Sequence, residues 1–288
     1  MQRRTNQITT IGQVLQTLES LAPPELAAEW DLAIGLEIGH PDTLVNRVLL
    51  TLDVTEQAVE MALSRSCQLI IAHHPLLFSP LPAVRLDIPE QRLIARMLKE
   101  GLGLIAAHTN LDAAEGGVAD CLADTLGLNA ADRQKVGPYG RLGNLPRPML
   151  ISELLLYIKE KLGALGCRVN RDQDPKIRRL AVFPGSFDED NLPFLEQMEI
   201  DALLCGELKH HLALQLAARG ITAIDAGHDV TERVVLRPLS VRLARLLPGI
   251  TFAVHEGLDY NRVAFRVNQA TAGDDRKATR EESPGSIG

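Results

Sequence analysis

Aromatic residues are scarce: one tryptophan, three tyrosines and six phenylalanines in 288 residues. The core must therefore be aliphatic, and the rows of rings on which single-stranded nucleic acid stacks are disfavoured. Cysteine is equally sparse. Cys67, Cys121, Cys167 and Cys205 are widely spaced and form no C-x-x-C pair. They read as reduced core thiols, which fits a cytoplasmic protein. Positive charge is in deficit, with a net charge of -7, and an acidic chain repels phosphate backbones. The one dense basic stretch, Lys176-Ile177-Arg178-Arg179, runs into the apolar Leu180-Ala181-Val182-Phe183 and reads as the solvated start of a strand. No apolar run approaches the roughly 20 residues of a membrane span. The polar Met1–Asn6 followed by an amphipathic Ile8–Leu21 lacks the apolar centre of a signal peptide. There is no G-x-x-x-x-G-K-[ST] loop and no dinucleotide fingerprint.

What is present is an alternation of short aliphatic runs and helical patterns. Strands are predicted at 48–52, 68–72, 102–107, 177–183, 202–205 and 221–225, with closing strands at Phe252–Val254 and Arg262–Val267. Helices are predicted between them, including 55–64, 89–100, 117–126, 151–162, 194–198 and 209–219. A long helix from Val230 to Leu247 is expected to kink at Pro238. This rhythm predicts an α/β fold: two similar α/β halves with mostly mixed sheets covered by helices. The expected boundaries are an N-terminal half over 8–136, a Gly- and Pro-rich connection over 137–150, a C-terminal half over 151–267 and a disordered polar tail over 268–288.

Most of the eight histidines follow the end of a predicted strand, which is where ligands bind in open α/β sheets. The first motif is Ala72-His73-His74-Pro75. Pro75 favours an extended His74, and adjacent extended residues point to opposite sides. The pair therefore suits two different metals, or one ligand and its supporting partner. The plainer reading of such a pair is one core and one surface histidine. The second motif is His108-Thr109-Asn110-Leu111-Asp112, whose His and Asp converge if the chain turns. Taken alone, Asp112 reads equally as a turn cap. The third is Gly227-His228-Asp229-Val230-Thr231-Glu232, where a helix starting at His228 puts His228 and Glu232 on one face. Alone, Glu232 is also an ordinary first-turn acid. Together, His73, His74, His108, Asp112, His228 and Glu232 exceed one tetrahedral ion. An imidazole and carboxylate set suits zinc, iron, manganese, nickel or cobalt, and six donors suit two divalent ions. Gly206-Glu207-Leu208-Lys209-His210-His211 follows another strand end. Glu207 and His211 are candidate proton carriers there. Lys209, Arg141 and the Gly185-Ser186 backbone are candidates for binding substrate or phosphate. His40 and His255 read as structural or surface residues.

From Ile11 to Val267 the chain resembles the dinuclear metal-centre proteins, also called the NGG-interacting factor 3-like family. The matching stretches are Glu29-Trp30-Asp31 with Gly35-Leu36, Leu52-Asp53-Val54-Thr55, Ala72-His73-His74-Pro75-Leu76-Leu77-Phe78 and His108-Thr109-Asn110-Leu111-Asp112. They continue with Gly140-Arg141-Leu142-Gly143, Gly206-Glu207-Leu208-Lys209-His210-His211, and Gly227-His228 with Thr231-Glu232. The resemblance implies that His73, His74, Asp112, His228 and Glu232 ligate metal, with His108 a weaker ligand or a supporting partner. It implies a homohexamer, a trimer of dimers whose metal sites face an interior cavity. Members often carry the name GTP cyclohydrolase 1 type 2, which implies metal-dependent ring opening of a nucleotide. The competing expectation is a non-enzymatic metal-binding or regulatory protein that engages partners. Leu32 departs from the family's usual Asn after Trp-Asp, and there is no room for the inserted domain of the larger members.

Overall fold

The computed structural model describes residues 9–257. The expected strand at Arg262–Val267 and the tail over 268–288 lie outside the described residues, as does Ile8. The chain runs β1 (Thr9–Thr10), α1 (Ile11–Leu21), β2 (Gly35–Ile38), β3 (Leu44–Val45), β4 (Arg47–Thr51), α2 (Glu56–Ser64), β5 (Leu69–Ala72), α3 (Pro89–Lys99), β6 (Gly103–Ala106), α4 (Thr109–Ala113) and α5 (Val118–Thr125). It continues through β7 (Gln134–Val136), β8 (Gly140–Leu150), α6 (Ile151–Leu162), β9 (Arg168–Val169), β10 (Lys176–Phe187), α7 (Leu192–Glu196), β11 (Ala202–Leu208), α8 (His210–Ala218), β12 (Thr222–Asp225), α9 (His228–Glu232), α10 (Leu236–Leu246) and β13 (Thr251–His255).

The fold is mixed α/β, built on two sheets of five and six strands beside a two-stranded ribbon of β1 and β3. The first sheet has the order β13-β4-β5-β6-β2. Its first four strands are parallel, and β2 is antiparallel at the edge. The second has the order β7-β8-β10-β11-β12-β9, with β10, β11 and β12 parallel in its centre. Central parallel strands covered by helices on both faces must be apolar at every position, which explains runs such as Leu69-Ile70-Ile71-Ala72. Alternate residues serve opposite faces. Leu69 and Ile71 pack towards α1 and α10, while Ile70 packs towards α2 and α3. In the second sheet Leu180 and Val182 meet α6, while Ala181 and Phe183 meet α7 and α8. Helix α5 is shared, sending Val118 and Cys121 to the first core and Leu122 and Ala123 to the second.

Segment 137–150 is not a mere connection. Gly140–Leu150 is a full strand, paired with β7 on one side and β10 on the other. Pro146 and Pro148 disguise it. They sit where the register shifts between Ile177 and Arg179 of the partner strand, so their missing N–H groups cost the ladder little. The helix expected from Val230 to Leu247 is broken at Arg233–Val235, which forms a tighter 3-10 turn. Pro238 explains the break, because its ring clashes with the carbonyl four residues earlier, at Val234. The last strand, β13, leaves the second half and joins the first sheet beside β4.

Arg141 lies on β8, away from any surface a substrate reaches. It is only 2% exposed. Its Nε donates to Asp120 Oδ1 at 2.6 Å, and its Nη2 donates to Asp120 Oδ2 at 3.1 Å. The guanidinium therefore ties β8 to α5, and it is a structural rather than a substrate-binding group. Removing one partner strands a buried charge, so Arg141→Ala should cost about 3–5 kcal/mol of stability in denaturant unfolding. Loss of ligand binding without loss of stability would contradict this placement.

Candidate metal centre

The centre lies where four chain segments end. His73 and His74 follow β5, His108 follows β6, Asp112 lies on α4, and His228 and Glu232 sit four apart on α9. The turn expected after His108 is made by α4, whose Asp112 N–H donates to the His108 carbonyl at 3.1 Å. That turn brings Asp112 back towards His73, and its Oδ1 lies 3.6 Å from His73 Nε2. Gly117 closes the α4–α5 turn, where a Cβ would fall 1.9 Å from the Leu111 carbonyl oxygen.

All four imidazoles are oriented in the same way. His73 Nδ1 donates to the Ala107 carbonyl at 2.9 Å. His74 Nδ1 donates to Asp53 Oδ1 at 2.8 Å, and His108 Nδ1 to Asp31 Oδ2 at 3.0 Å. His228 Nδ1 faces Glu207 Oε2 at 3.4 Å. A carbonyl and an ionised carboxylate only accept, so the Nδ1 atoms carry the protons. Each Nε2 is the nitrogen left to face the cluster, a lone-pair donor once any proton it carries is displaced. Those Nε2 atoms and the two carboxylates form three overlapping groups with atoms within 4.8 Å of one another: His73–His74–His108, His74–His228–Glu232 and His73–Asp112–Glu232. Glu232 belongs to two of them. His73 shares it with Asp112 and His74 shares it with His228, while both histidines also join His108 in the third group.

Several observations test whether divalent metal fits here. The buried atoms His73 Nε2, Asp112 Oδ1 and Glu232 Oε2 have no hydrogen-bond partner, which is costly unless something else satisfies them. His74 Nε2 lies 3.0 Å from Glu232 Oε2, and His228 Nε2 lies 3.1 Å from Glu232 Oε1. Neither approach is aligned as a hydrogen bond. Two ligands on one tetrahedral zinc, each about 2.0–2.1 Å from it, stand about 3.3 Å apart, and these contacts fall only slightly short of that value. Backbone also makes room. Gly185 has φ +63°, and a Cβ there would fall 2.1 Å from Glu232 Oε1. Its N–H donates to Thr231 Oγ1 at 3.0 Å, so it is not free to hold a phosphate. The residues present fit a divalent metal.

The electrostatics point the same way. Burial works against charge on Glu232, but His228, His73 and His74 outweigh it and hold the carboxyl well below the usual range. Burial pushes Asp112 up, with Glu232 adding to it against the pull of His73. Burial lowers His74, yet Asp53 and Glu232 dominate and raise it to about 10. His108 is pulled down to about 4 by burial and the neighbouring His73. Buried imidazoles thus gather protons to balance two buried carboxylates, a role that bound cations also fill.

The other candidates are placed as follows. Glu207 stands at the rim beside His228, largely exposed. His211 Nε2 pairs with Glu189 Oε1 at 2.6 Å, and Lys209 Nζ lies 3.1 Å from both Asp188 and Glu189. Those two form an exposed ion cluster outside every donor group. His40 is exposed, while His255 is buried with its Nδ1 3.2 Å from Thr51 Oγ1. Asp53 and Asp31 had no assigned part in the site. Asp53 follows strand β4, so the strand-end rule that located the histidines also points to it. Asp31 lies in an irregular loop, where only the Glu29-Trp30-Asp31 stretch of the resemblance marks it and no local pattern gives it a partner. There it accepts from His108 and from Thr109 N–H and Oγ1.

The family Duf34/NIF3 (NGG1p interacting factor 3) matches the chain over residues 9–257. A GTP cyclohydrolase 1 type 2 homolog of Streptomyces coelicolor is 32% identical over 233 residues, which are 77% of this chain and 81% of that protein. A protein NIF3 homolog of Schizosaccharomyces pombe is 32% identical over 242 residues, covering 78% of this chain and 86% of its own. The crystal structure of a Bacillus cereus protein related to NIF3 superposes with a TM-score of 0.81. It covers 88% of this chain and 98% of that one at 23% identity, a likeness of fold.

Elemental analysis of protein purified without chelators should find about two divalent ions per chain. Glu232→Ala should lose more metal than His255→Ala, because Glu232 joins two donor groups and His255 joins none. Equal metal content in the two variants would sink this assignment.

Proposed function

The chain belongs to the Duf34/NIF3 family, and on that footing we propose that it is a dinuclear metal-dependent hydrolase acting on a nucleotide or a related heterocycle. The observation that carries the reading is the convergence of four oriented Nε2 atoms on two buried carboxylates, one of them shared. Two divalent ions held there would make a water acidic enough to ionise near neutral pH and would polarise the centre it attacks. The chain supplies the rest. Asp53, Asp31, Glu207 and the Ala107 carbonyl fix the four rings. His108, with its low pKa, stays neutral at the rim of the cluster. Glu207, exposed and 3.4 Å from His228 Nδ1, is our candidate to take a proton from the attacking water or return one to a leaving nitrogen. The name GTP cyclohydrolase 1 type 2 homolog carried by relatives suggests a purine nucleotide and ring opening. Phosphate contacts fall to Lys209, once it leaves Asp188 and Glu189, since Arg141 and the Gly185 N–H are committed elsewhere.

A second reading is a metal-binding or regulatory protein without turnover. It is favoured by the pairing of His211 and Lys209 with Glu189, which leaves few groups free for proton traffic. Turnover assays with protein loaded with zinc, iron, manganese, nickel or cobalt, against a panel of nucleotides, separate the two. On the hydrolase reading, Glu207→Gln, compared at saturating metal because its hold on His228 is weaker, loses about 10²–10⁴ in rate. No turnover with any metal or nucleotide leaves the second reading.

No helix among the described residues is long and apolar enough to cross a membrane, and all four cysteines are free thiols. Both support our placing the protein in the cytoplasm. We also infer self-association into a homohexamer. Exposed apolar side chains outside the donor groups, Val84 and Leu86 among them, support it. Light scattering should give a hexamer for the full chain and for a chain cut after Val267. A monomer would refute the assembly.

A further inference from the structure

Trp30 and Phe78 stand on the surface in a chain that has few aromatic rings to expose. Trp30 is 63% exposed and Phe78 is 60% exposed, whereas Phe183 and Phe187 are buried in the second sheet's core. Burying either exposed ring would stabilise the fold, and the fold forgoes that. The two rings are neighbours, with centroids 6.2 Å apart at 48°. Both reach the metal centre, because Trp30 lies 6.1 Å from the His108 ring and Phe78 lies 6.3 Å from it, each edge-on at 74°.

Both are also anchored. Asp31, next to Trp30, is buried and holds His108 Nδ1 and Thr109. Thr109 Oγ1 in turn accepts from the Ala28 N–H at 3.0 Å. On the other side, Glu37 accepts from the Leu76 N–H at 3.0 Å and the Leu77 N–H at 2.9 Å, fixing the chain just before Phe78. The loops that carry the rings are thus tied to the centre itself.

We propose that Trp30 and Phe78 form an aromatic wall on which a planar nitrogen heterocycle stacks, beside His108 and within reach of the metal centre. The proposal rests on reading that centre as the substrate site. A ring held between two parallel rings needs them about 7 Å apart, at twice a van der Waals contact of about 3.5 Å. Trp30 and Phe78 are closer and tilted, so the substrate ring lies across their exposed faces. Stacking of this kind holds a base by its face and tolerates different ring substituents. It suits a site where, among the described residues, no arginine or lysine joins the donor groups to grip a phosphate. The substrate is therefore recognised by its ring, and its phosphates contribute less.

Trp30 is the chain's sole tryptophan, so its fluorescence reports on the wall directly. Zinc-loaded protein is titrated with guanosine, GTP and ribose 5-phosphate, with calorimetry in parallel. Guanosine and GTP should quench Trp30 saturably and ribose 5-phosphate should not. Phe78→Ala should weaken guanosine binding about tenfold at unchanged metal content, and Phe78→Tyr should restore it. Three results would overturn the proposal: quenching by ribose 5-phosphate equal to that by guanosine, affinity unchanged in Phe78→Ala, or Trp30 emission that responds only to protein concentration. The last would mean that a second copy of the chain covers the wall. Ring binding without turnover would sink the hydrolase reading and leave the wall standing. Turnover with a silent Trp30 would do the reverse.

Discussion

The centre depends on one repeated interaction, the hydrogen bond that commits each histidine's Nδ1 proton to an acceptor. A free imidazole places its proton on either nitrogen and turns about its side-chain bonds. Here the Ala107 carbonyl, Asp53, Asp31 and Glu207 remove both freedoms. Every Nε2 then faces the same small volume, which Glu232 and Asp112 border from the other side. Loss of such a partner typically weakens metal binding by about 10–100-fold, so the acceptors belong to the site as much as the ligands do.

The fold delivers these parts because two sheets end at one place. Strands β4, β5 and β6 bring Asp53, His73, His74 and His108 out at their carboxyl ends. The second sheet contributes α9, seated over the ends of β10 and β11, where Gly185 and Gly206 leave no Cβ to obstruct it. Helix α5 and the Arg141–Asp120 pair lock the sheets together. Two carboxylates buried side by side repel, and the surrounding imidazoles relieve this by taking up protons. Divalent cations held among these residues would offset the cost of burying that charge.

The legible part of the sequence was the part governed by local rules. Aliphatic runs stopping at His73, His108 and His228 marked strand ends, and the spacing of four between His228 and Glu232 marked a helix face. What escaped depends on contacts distant in sequence. Asp31 lies 77 residues from His108, which it orients. Strand β8 was hidden by Pro146 and Pro148, because the register shift that tolerates them is visible only once β10 lies alongside. Arg141 was a candidate substrate contact for want of any phosphate-binding loop, and only its burial against Asp120 shows its structural role. The aromatic wall was obscured by composition itself, since an overall scarcity of rings says nothing about where the few are placed.

The tautomer of each histidine is the most direct test of this account. Long-range proton–nitrogen NMR on the zinc-loaded, nitrogen-15-labelled protein distinguishes a protonated Nδ1 from a protonated Nε2. The account predicts Nδ1–H and a metal-bound Nε2 for His73, His74, His108 and His228. A protonated Nε2 on His73 or His74, with Nδ1 turned to the metal, would contradict it.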